Sequence, residues 1–575
     1  MRELIMLAAL SAAGLAFGWT GDVCVQKFIG HGWDLLCATP EEVLDNADAF
    51  DATGLDGVAI SLRGKEPGSD SWRYAQATIA TDRPWPRELL KSRIGTLGKF
   101  KSHRGLRDSL LMFWIAPVRH LAWDDDAAWA RFAGNVGTLA WVGRTAGLPG
   151  YMVDLEDYGN VRQYFWDPAR DRMSYDAACA LARKRGGEIF RALFAEHPNA
   201  VVLSFWFMSE AERHYAHRRS PLAEARRRKD LWPSFVNGVI DAFPPEATFV
   251  DGNEHGYHGE SDANDFYVKA FNQRQGLLGL VAPENRRKYK AMLSVGFGQY
   301  LDCYIYRPDE TKTWYKGPAE DGSRLTHFER NLEQAARVSS QYVWIYGERR
   351  MWIDWKRSPT SEIWKTDRFV KMAALPEPTW ERSLPGLSDA IMSVKDPVAF
   401  ARRKLTEFKA NGESHELCRE GHCRLDGLKV PDGVNPGRIP WGFSVYRSPG
   451  DTNGVCGVDA SAGRGDGRSL AMRGVRYCNV NFTQPAREGE SYVVSVSTDS
   501  DRGQAEVCWM KGDTWAWAES VHFAFGEPAA DGWRTAREVV RVPRGVSKIG
   551  LLCATSKLAP DETVRFDDFS MIRLR

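Results

Sequence analysis

Two carboxylates separated by one residue follow the apolar run 151–153, namely Asp154 and Glu156. Side chains two positions apart point to the same side of a strand, so this pair is expected to share one face. Neighbouring carboxylates repel, which raises the pKa of one and keeps it protonated near neutral pH. A protonated acid beside an ionised partner is suited to general acid–base catalysis. Alternatively, one of the two caps a helix or pairs with Arg144 or Arg162.

Two further apolar runs end in a carboxylate. Glu348 follows Trp344 and Tyr346 at a spacing of two, so an aromatic face is expected to lead up to it. Glu254 ends another run and lies in a dense polar segment that is costly to bury without a purpose. Salt bridging to a neighbouring arginine is the alternative for Glu348. The sequence predicts four catalytic candidates: Glu156, Glu348, Asp154 and Glu254.

Aromatic and polar side chains also lie at or near the ends of the other apolar runs. Any one of them is more often a core residue, but together they describe a cleft with flat apolar faces among carboxylates. Sugar rings stack on such faces through their C–H groups, so a poly- or oligosaccharide partner is expected. The residues predicted to bind substrate are His31, Trp33, Asp34, Trp114, Trp206, Asn253, His255, Tyr346 and Trp352.

A metal centre is the competing interpretation of part of this set. His31, Asp34, Glu254 and His255 have the side chains for one. However, no His-x-His follows the first run, because His31 precedes Gly32 and Trp33, and HExxH is absent. No metal and no cofactor is therefore predicted.

Eight apolar runs alternate with amphipathic stretches up to position 375, as in parallel βα units. A doubly wound open sheet would normally show a glycine-rich phosphate loop after its first strand, and His31 to Asp34 is not one. A (β/α)8 TIM barrel over 25–378 is predicted. The expected strands are 28–36, 57–62, 109–117, 150–156, 201–208, 248–254, 293–299 and 342–348. The expected helices include 40–50, 124–145, 175–196, 232–242 and 325–340.

A different pattern begins after the barrel. The charged segment 379–425 is expected to be a connector with a short helix. From 426 to 575, short alternating strands are separated by Gly, Asp and Pro, which is typical of an antiparallel sandwich. The expected strands are 492–498, 505–510, 521–525, 539–542, 548–553 and 564–572.

Five motifs occur in order in this second region: 467–470 (GRSL), 489–492 (GESY), 532–533 (GW), 542–545 (VPRG) and 566–569 (FDDF). Residues 430–575 thereby resemble the jelly-roll carbohydrate-binding modules related to families 4 and 9, and the wider galactose-binding-like fold. The resemblance implies an all-β jelly roll with Phe566 and Phe569 in its core. Trp509, Trp515 and Trp517 are possible sugar platforms or core residues.

The barrel in turn resembles glycoside hydrolases of the TIM-barrel superfamily. The spaced-acid pattern of chitinases on strand four is echoed only in part by Asp154 and Glu156. The Asn-Glu pair that marks the large retaining clan is missing from strand four, and that dipeptide occurs on strand six instead, as Asn253-Glu254. The resemblance implies hydrolysis of glycosidic bonds by paired carboxylates. A non-catalytic glycan-binding protein on a barrel that has lost its chemistry, and a metal-dependent hydrolase or deacetylase, are the alternatives.

The N-terminal segment and the net charge indicate the compartment of the protein and the kinds of partner it attracts. Arg2 and the apolar run 4–17 have the pattern of a signal peptide over 1–18, so a secreted or periplasmic protein is expected. No later run is long enough to span a membrane. A net charge of +1 implies no general attraction to nucleic acid.

Ten cysteines fit an oxidising compartment. Cys418 and Cys423 are expected to form a local disulfide, and Cys179 to be a buried free thiol. The pairing of the others is left open by the sequence: Cys456, Cys478, Cys508 and Cys553.

Overall fold

The computed structural model describes residues 24–65, 72–158, 160–216, 218–258, 263–306, 317–318, 323–423, 430–451 and 453–575. The segment 1–18, expected to be a signal peptide, lies outside these residues. The chain divides into two compact units, Cys24–Lys395 and Asp396–Arg575.

Eight parallel strands close into a barrel in the first unit, and their order around it follows the sequence. The last strand pairs with the first, with Phe28 opposite Val343, so the sheet has no free edge. The predicted TIM barrel is confirmed. The strands are β1 (Lys27–Gly32), β2 (Gly57–Ser61), β3 (Leu110–Trp114), β4 (Gly150–Asp154), β5 (Val201–Ser204), β6 (Thr248–Asp251), β7 (Leu293–Tyr300) and β8 (Tyr342–Gly347).

The predicted strands are all present, but most of them end earlier than expected. The run 28–36 leaves the sheet at Gly32, and Trp33–Cys37 forms a short helix. A short apolar run has no period that separates a buried strand from a buried helix, which explains the overextension. Likewise, β5 ends at Ser204 rather than at 208. Consequently, several candidate side chains lie on loops just beyond the strands.

Helices surround the barrel, and the longest ones begin at side-chain caps. Ser174 accepts a hydrogen bond from the amide of Ala177, and Ser323 from that of Thr326. The α-helices of this unit are Trp33–Cys37, Pro40–Asp45, Ala47–Asp51, Glu88–Lys91, Ile94–Leu97, Asp126–Ala146, Pro168–Asp171, Tyr175–Glu196, Glu212–Tyr215, Pro221–Arg227, Trp232–Ala242, Ala263–Phe271, Arg286–Met292, Arg324–Val338, Asp367–Ala373, Trp380–Ser383 and Leu387–Lys395.

Shorter elements complete this unit. A small antiparallel ladder joins Arg63–Lys65 to Trp72–Tyr74, and Asn272–Gly276 is a π-helical turn. The 3₁₀ turns are Phe100–Ser102, Ser209–Ala211, Glu254–His258, Pro283–Asn285, Leu301–Tyr304 and Ile363–Lys365.

The second unit begins with the helix Pro397–Asn411 and continues as two antiparallel sheets. One sheet has the order β9-β11-β12-β20-β14-β18, and the other β10-β13-β19-β15-β16, with β17 also pairing with β15. The strands are β9 (Val434–Pro436), β10 (Phe443–Arg447), β11 (Val455–Asp459), β12 (Ser469–Arg473), β13 (Tyr477–Pro485), β14 (Ser491–Thr498), β15 (Gln504–Lys511), β16 (Thr514–Trp515), β17 (Val521–His522), β18 (Arg534–Arg541), β19 (Lys548–Ser556) and β20 (Thr563–Arg573); Trp517–Glu519 is a 3₁₀ turn.

The core of the sandwich is built from side chains of both sheets. Phe566 and Phe569 are buried in it, as the FDDF motif implies, and so is Trp509. Trp517 is 53% exposed, and its ring stacks on that of Trp515 with centroids 5.2 Å apart. This pair remains a predicted sugar platform.

The cysteines are all free thiols. The expected disulfide between Cys418 and Cys423 is therefore not confirmed. Both side chains are buried in the sandwich core, where a thiol packs like a small apolar group. Cys179, in the helix Tyr175–Glu196, is free as expected but half-buried. Among the helices that the structure describes, none is long and apolar enough to cross a membrane.

Candidate active site

A small cavity opens at the carboxyl-terminal mouth of the barrel, where side chains from six strand ends converge. It contains three of the four predicted carboxylates and four of the predicted binding residues. The mouth is the position where this fold places its functional groups. The cavity is lined by His31, Trp33, Leu36, Met112, Trp114, Asp154, Glu156, Tyr158, Phe205, Glu254, Tyr257 and Tyr346.

Asp154 and Glu156 are held together by the turn that ends β4. The main-chain amide of Glu156 donates to Asp154 Oδ1 at 2.8 Å. The hydroxyl of Tyr158 reaches both carboxylates, at 3.1 Å from Asp154 Oδ2 and in a short contact with Glu156 Oε2. Asp154 is buried, whereas Glu156 is half-buried. Asp154 thus orders the backbone that carries Glu156.

The third carboxylate, Glu254, lies just after the end of β6. Asn253 has a left-handed backbone, with φ of 36°, and turns the chain into the 3₁₀ turn Glu254–His258. The amide of Glu254 then donates to the carbonyl of Phe205, at 3.0 Å, beside β5. This bond ties the loops after β5 and β6 together and brings Glu254 to the cavity that Glu156 also lines.

The three carboxyl groups have raised pKa values. Burial raises the pKa of Asp154, and the charge of Glu156 raises it further. Burial also raises the pKa of Glu254, with added repulsion from Glu156 and Asp154. For Glu156, burial raises the pKa, as do Glu210 and Glu348, while the bond from Tyr158 lowers it. Like charges crowded in a poorly solvated space favour retention of at least one proton at neutral pH.

Aromatic rings form the walls and floor. The ring of Trp114 lies 4.6 Å from that of Tyr158, centroid to centroid. His31 stacks on Tyr346 with centroids 5.0 Å apart, and its burial lowers its pKa to about 3. His31 is therefore neutral at physiological pH. Flat apolar faces thus surround the acidic centre, as expected for a site that holds sugar rings.

Several buried polar atoms at this cavity have no protein partner. Within the described parts of the chain, they include the indole Nε1–H groups of Trp33 and Trp114 and the Nδ1 atom of His31. A buried polar group without a partner costs free energy, so such groups are usually satisfied by water or a ligand. The cavity therefore offers hydrogen bonds as well as apolar faces to an occupant.

Glu348 lies beside this cavity rather than in its lining. Its position is fixed by Asp302, which accepts a hydrogen bond from the amide of Glu348 at 2.7 Å. Its carboxylate accepts from the Tyr300 hydroxyl at 2.7 Å and from Arg368 at 3.2 Å. The guanidinium of Arg368 also lies over the ring of Trp33, 3.5 Å from its centroid. Glu348 is thus paired and acts on Glu156 through its charge.

A second, wider cavity also includes Glu156. Trp206, a predicted binding residue, lines this cavity rather than the first. Glu210 lies here as well, and His255 Nε2 is 3.3 Å from its carboxylate. Burial favours a raised pKa for Glu210, but hydrogen bonding and charge from His255, together with Arg213, outweigh it and lower the pKa. His255 therefore faces a carboxylate of the protein.

The remaining predicted residues hold the loops around the site in place. Asp34 is fully buried, and its Oδ2 accepts from the amide of Trp352 at 2.8 Å and from Trp355 Nε1 at 3.0 Å. Trp352 donates its Nε1–H to the carbonyl of His31 at 2.9 Å. Asn253 is buried and shapes the turn before Glu254. These contacts fix the loops after β1, β6 and β8.

Sequence reasoning missed several residues of the site, among them Tyr158, Tyr257 and Phe205 in the first cavity, Glu210 in the second, and Tyr300, the partner of Glu348. Tyr158 could have been predicted from the sequence, because it continues the spacing of two through Asp154 and Glu156. Glu210 could not have been predicted in this way, since its position depends on a contact between residues that are distant in the sequence. Asp251 accepts hydrogen bonds from the amides of Phe207 and Ser209, at 3.0 and 2.9 Å, and so shapes the loop that presents Glu210.

Two groups of His and carboxylate side chains are spaced closely enough to hold a metal ion, considering only the described residues. One comprises Asp48, Asp51 and His103, and the other His422, Asp567 and Asp568. Neither includes a residue that lines either cavity at the barrel mouth.

Comparison with known proteins gives no family for this chain. No family model matches it, and no curated protein matches it. Solved structures with similarity include a 3-keto-D-glucoside 4-epimerase, YcjR, from E. coli (14% identity, TM-score 0.29, 61% of this chain and all of the other). A CBM4 structure shows 16% identity and a TM-score of 0.19 over 27% of this chain and 98% of its own. An arabinose-bound α-L-arabinofuranosidase, MgGH51, shows 11% identity and a TM-score of 0.19 over 28% of this chain and 26% of its own. These similarities are too distant to inform on activity.

Proposed function

We propose that this protein is a glycoside hydrolase that cleaves glycosidic bonds in a poly- or oligosaccharide. The observation that carries this proposal is the convergence of Asp154, Glu156 and Glu254 on one aromatic-walled cavity at the barrel mouth. Paired carboxyl groups of unequal protonation are the chemistry that glycosidic cleavage requires. Their raised pKa values supply the protonated member.

We assign the acid to Glu156, because it is not fully buried, unlike Asp154, and lines both cavities, unlike Glu254. As the bond between the anomeric carbon and the bridging oxygen breaks, the electron pair stays with the oxygen, which takes the proton of Glu156. Glu254, as the ionised member of the coupled set while Glu156 and Asp154 hold protons, stabilises the positive charge that develops on the sugar ring. Water then adds to the anomeric carbon, and its proton passes to a carboxylate.

Asp154 and Tyr158 act as positioning residues in this scheme. Their hydrogen bonds hold the backbone and carboxyl group of Glu156 in one orientation. Rings such as Trp114 and Tyr346 would hold the sugar faces. Secretion through the segment 1–18, and glycan binding by the sandwich, belong to the same proposal and rest on the sequence patterns described above.

The test is a reducing-end assay over a panel of poly- and oligosaccharides with wild type, Glu156→Gln and Glu254→Gln. Each Gln variant is expected to lose at least about a hundredfold of the activity, because acid–base assistance by Glu156 contributes roughly 10²–10⁴-fold and electrostatic stabilisation by Glu254 roughly 10²–10³-fold. Glu196→Gln is the matched control, since Glu196 is a partly exposed partner of Arg87 on an outer helix. Full activity in both test variants would refute the assignment. Glycan binding without any release of reducing ends would instead favour a non-catalytic binding protein.

A further inference from the structure

The second cavity lies next to an unusually basic stretch of chain. Between positions 213 and 229 there are six Arg and one Lys, against a single Glu, although the whole chain has a net charge of only +1. This stretch follows β5 and therefore lies at the barrel mouth. Arg228 and His214, both within it, line the second cavity together with Glu156.

The acidic groups of that cavity are already bound by the protein. The carboxylate of Asp230 accepts from the Tyr215 hydroxyl, at 2.5 Å, and from the amide of Trp232, at 2.9 Å. Asp157 accepts from the amides of Val161 and Arg162, at 2.8 and 2.5 Å. Glu210 faces His255, as described above. The acids of this cavity therefore all have internal partners, since Glu156 accepts from the Tyr158 hydroxyl.

The partner of Arg228 is not an oppositely charged side chain. Its Nη2 lies 3.3 Å from Nε2 of His214, which is a ring nitrogen rather than an anion. In the part of the chain that the structure describes, no carboxylate forms an ion pair with Arg228. Its neighbours Arg226 and Arg227, by contrast, are paired with Asp176 and Glu224. Arg228 is exposed and keeps donors available at the cavity edge.

We propose that the second cavity is a subsite for an anionic sugar unit, with Arg228 binding its carboxylate or sulfate group. The proposal rests on the glycosidase function proposed above and defines its substrate class as an acidic polysaccharide. Glu156 is common to both cavities, so the scissile bond would join a unit in the first cavity to an anionic unit in the second. Trp206 and Tyr164 provide flat faces for the ring of that unit. A guanidinium suits a planar carboxylate or a sulfate, because it can donate two parallel hydrogen bonds.

The test measures retardation in affinity electrophoresis, with the Glu156→Gln protein as the parent so that no ligand is consumed. Dextran sulfate and polygalacturonate provide the sulfate and carboxylate groups, and dextran and methyl-esterified pectin are the neutral counterparts. Arg228→Gln is expected to weaken binding to at least one anionic polymer about tenfold, as expected for a lost charge-assisted pair. Arg227→Gln, which removes the same charge from the adjacent residue, should change binding less than twofold.

Equal weakening in both variants, or unchanged binding in Arg228→Gln, would overturn the subsite. So would equal binding of the neutral polymers. Equal affinity for a single-stranded DNA would indicate a general polyanion surface and would also overturn it. Failure of the glycosidase proposal is seen separately, as retained hydrolysis in Glu156→Gln, because the binding assay does not depend on turnover.

Discussion

The main-chain amide of Glu156 donates a hydrogen bond to the side chain of Asp154, at 2.8 Å. The two residues differ in burial, since Asp154 is closed off from solvent and Glu156 is partly open to both cavities. The buried carboxyl group thus sets the backbone direction at the accessible one. Glu156 is thereby suited to contact a substrate and Asp154 to orient it.

This division of roles predicts different outcomes for two substitutions at Asp154. Asp154→Asn keeps an oxygen that can accept the Glu156 amide, and it should lower kcat roughly tenfold with little change in KM. Asp154→Ala leaves that amide without its acceptor and removes one of the two acceptors of the Tyr158 hydroxyl, and it should lose a further tenfold or more. Steady-state kinetics on the hydrolysed glycan provide the measurement. Equal activity of the Ala and Asn variants would contradict a positioning role.

Tyr158→Phe removes a hydroxyl while leaving the ring that lies against Trp114. The hydroxyl favours the ionised form of Glu156, so its loss should raise the pKa of the acid further. A group that must be protonated to act stays active to a higher pH when its pKa rises. The basic limb of the pH–kcat profile should therefore move to higher pH, with a roughly tenfold lower rate at the optimum. An unshifted profile would show that Tyr158 does not act on the acid.

Glu348→Gln tests whether the strand-eight carboxylate reacts or only exerts its charge. Repulsion from Glu348 raises the pKa of Glu156, so its removal should lower that pKa. The basic limb of the pH profile should move to lower pH, by about half a unit or less, which is opposite in sign to the shift in Tyr158→Phe. Activity at the optimum should remain within about tenfold of wild type. A loss of a thousandfold or more would restore Glu348 as a catalytic residue, as the sequence first suggested.

The barrel was predictable because its signal is local and repeated. Each strand is a short apolar run, and eight such runs separated by amphipathic helices leave few other folds. The ends of the strands were less predictable, since β1 ends at Gly32 and the apolar residues after it form a helix. Periodicity does not separate these two conformations in so short a run.

The site residues that could be predicted from the sequence are those that directly follow the strands. Asp154, Glu156 and Glu254 were chosen because each follows an apolar run, and the fold brings those runs to one mouth. Asp34 was chosen on the same grounds, yet it lies beneath the site and binds Trp352. Glu210 was not chosen, because only long-range contacts place it. Side-chain direction and loop course depend on tertiary contacts that spacing in the sequence does not encode.

Trp114→Phe separates hydrogen bonding from stacking at the first cavity. Among the residues that the structure describes, none accepts a hydrogen bond from the indole N–H of Trp114, whereas that of Trp129, an outer-helix residue, donates to the carbonyl of Ala122 at 2.9 Å. Loss of the Trp114 donor should raise KM about fivefold or more without lowering the melting temperature. Trp129→Phe should lower the melting temperature and leave KM unchanged. A Trp114→Phe variant with wild-type KM would show that the donor does not contact substrate.

Asp34 provides a test of the fold at the base of the site. Burial raises its pKa to about 6, although hydrogen bonds from Trp352 and Trp355 oppose this. A carboxyl group whose pKa is higher in the folded state stabilises the fold fully below its unfolded value, near 3.9, and that stability is lost as the pH rises through about 6. The shift corresponds to roughly 3 kcal/mol. In Asp34→Asn, which keeps an acceptor for both donors, this part of the pH dependence should vanish. Denaturant unfolding of both proteins between pH 4 and about 7 provides the measurement, and parallel stability curves for the two proteins would contradict the raised pKa.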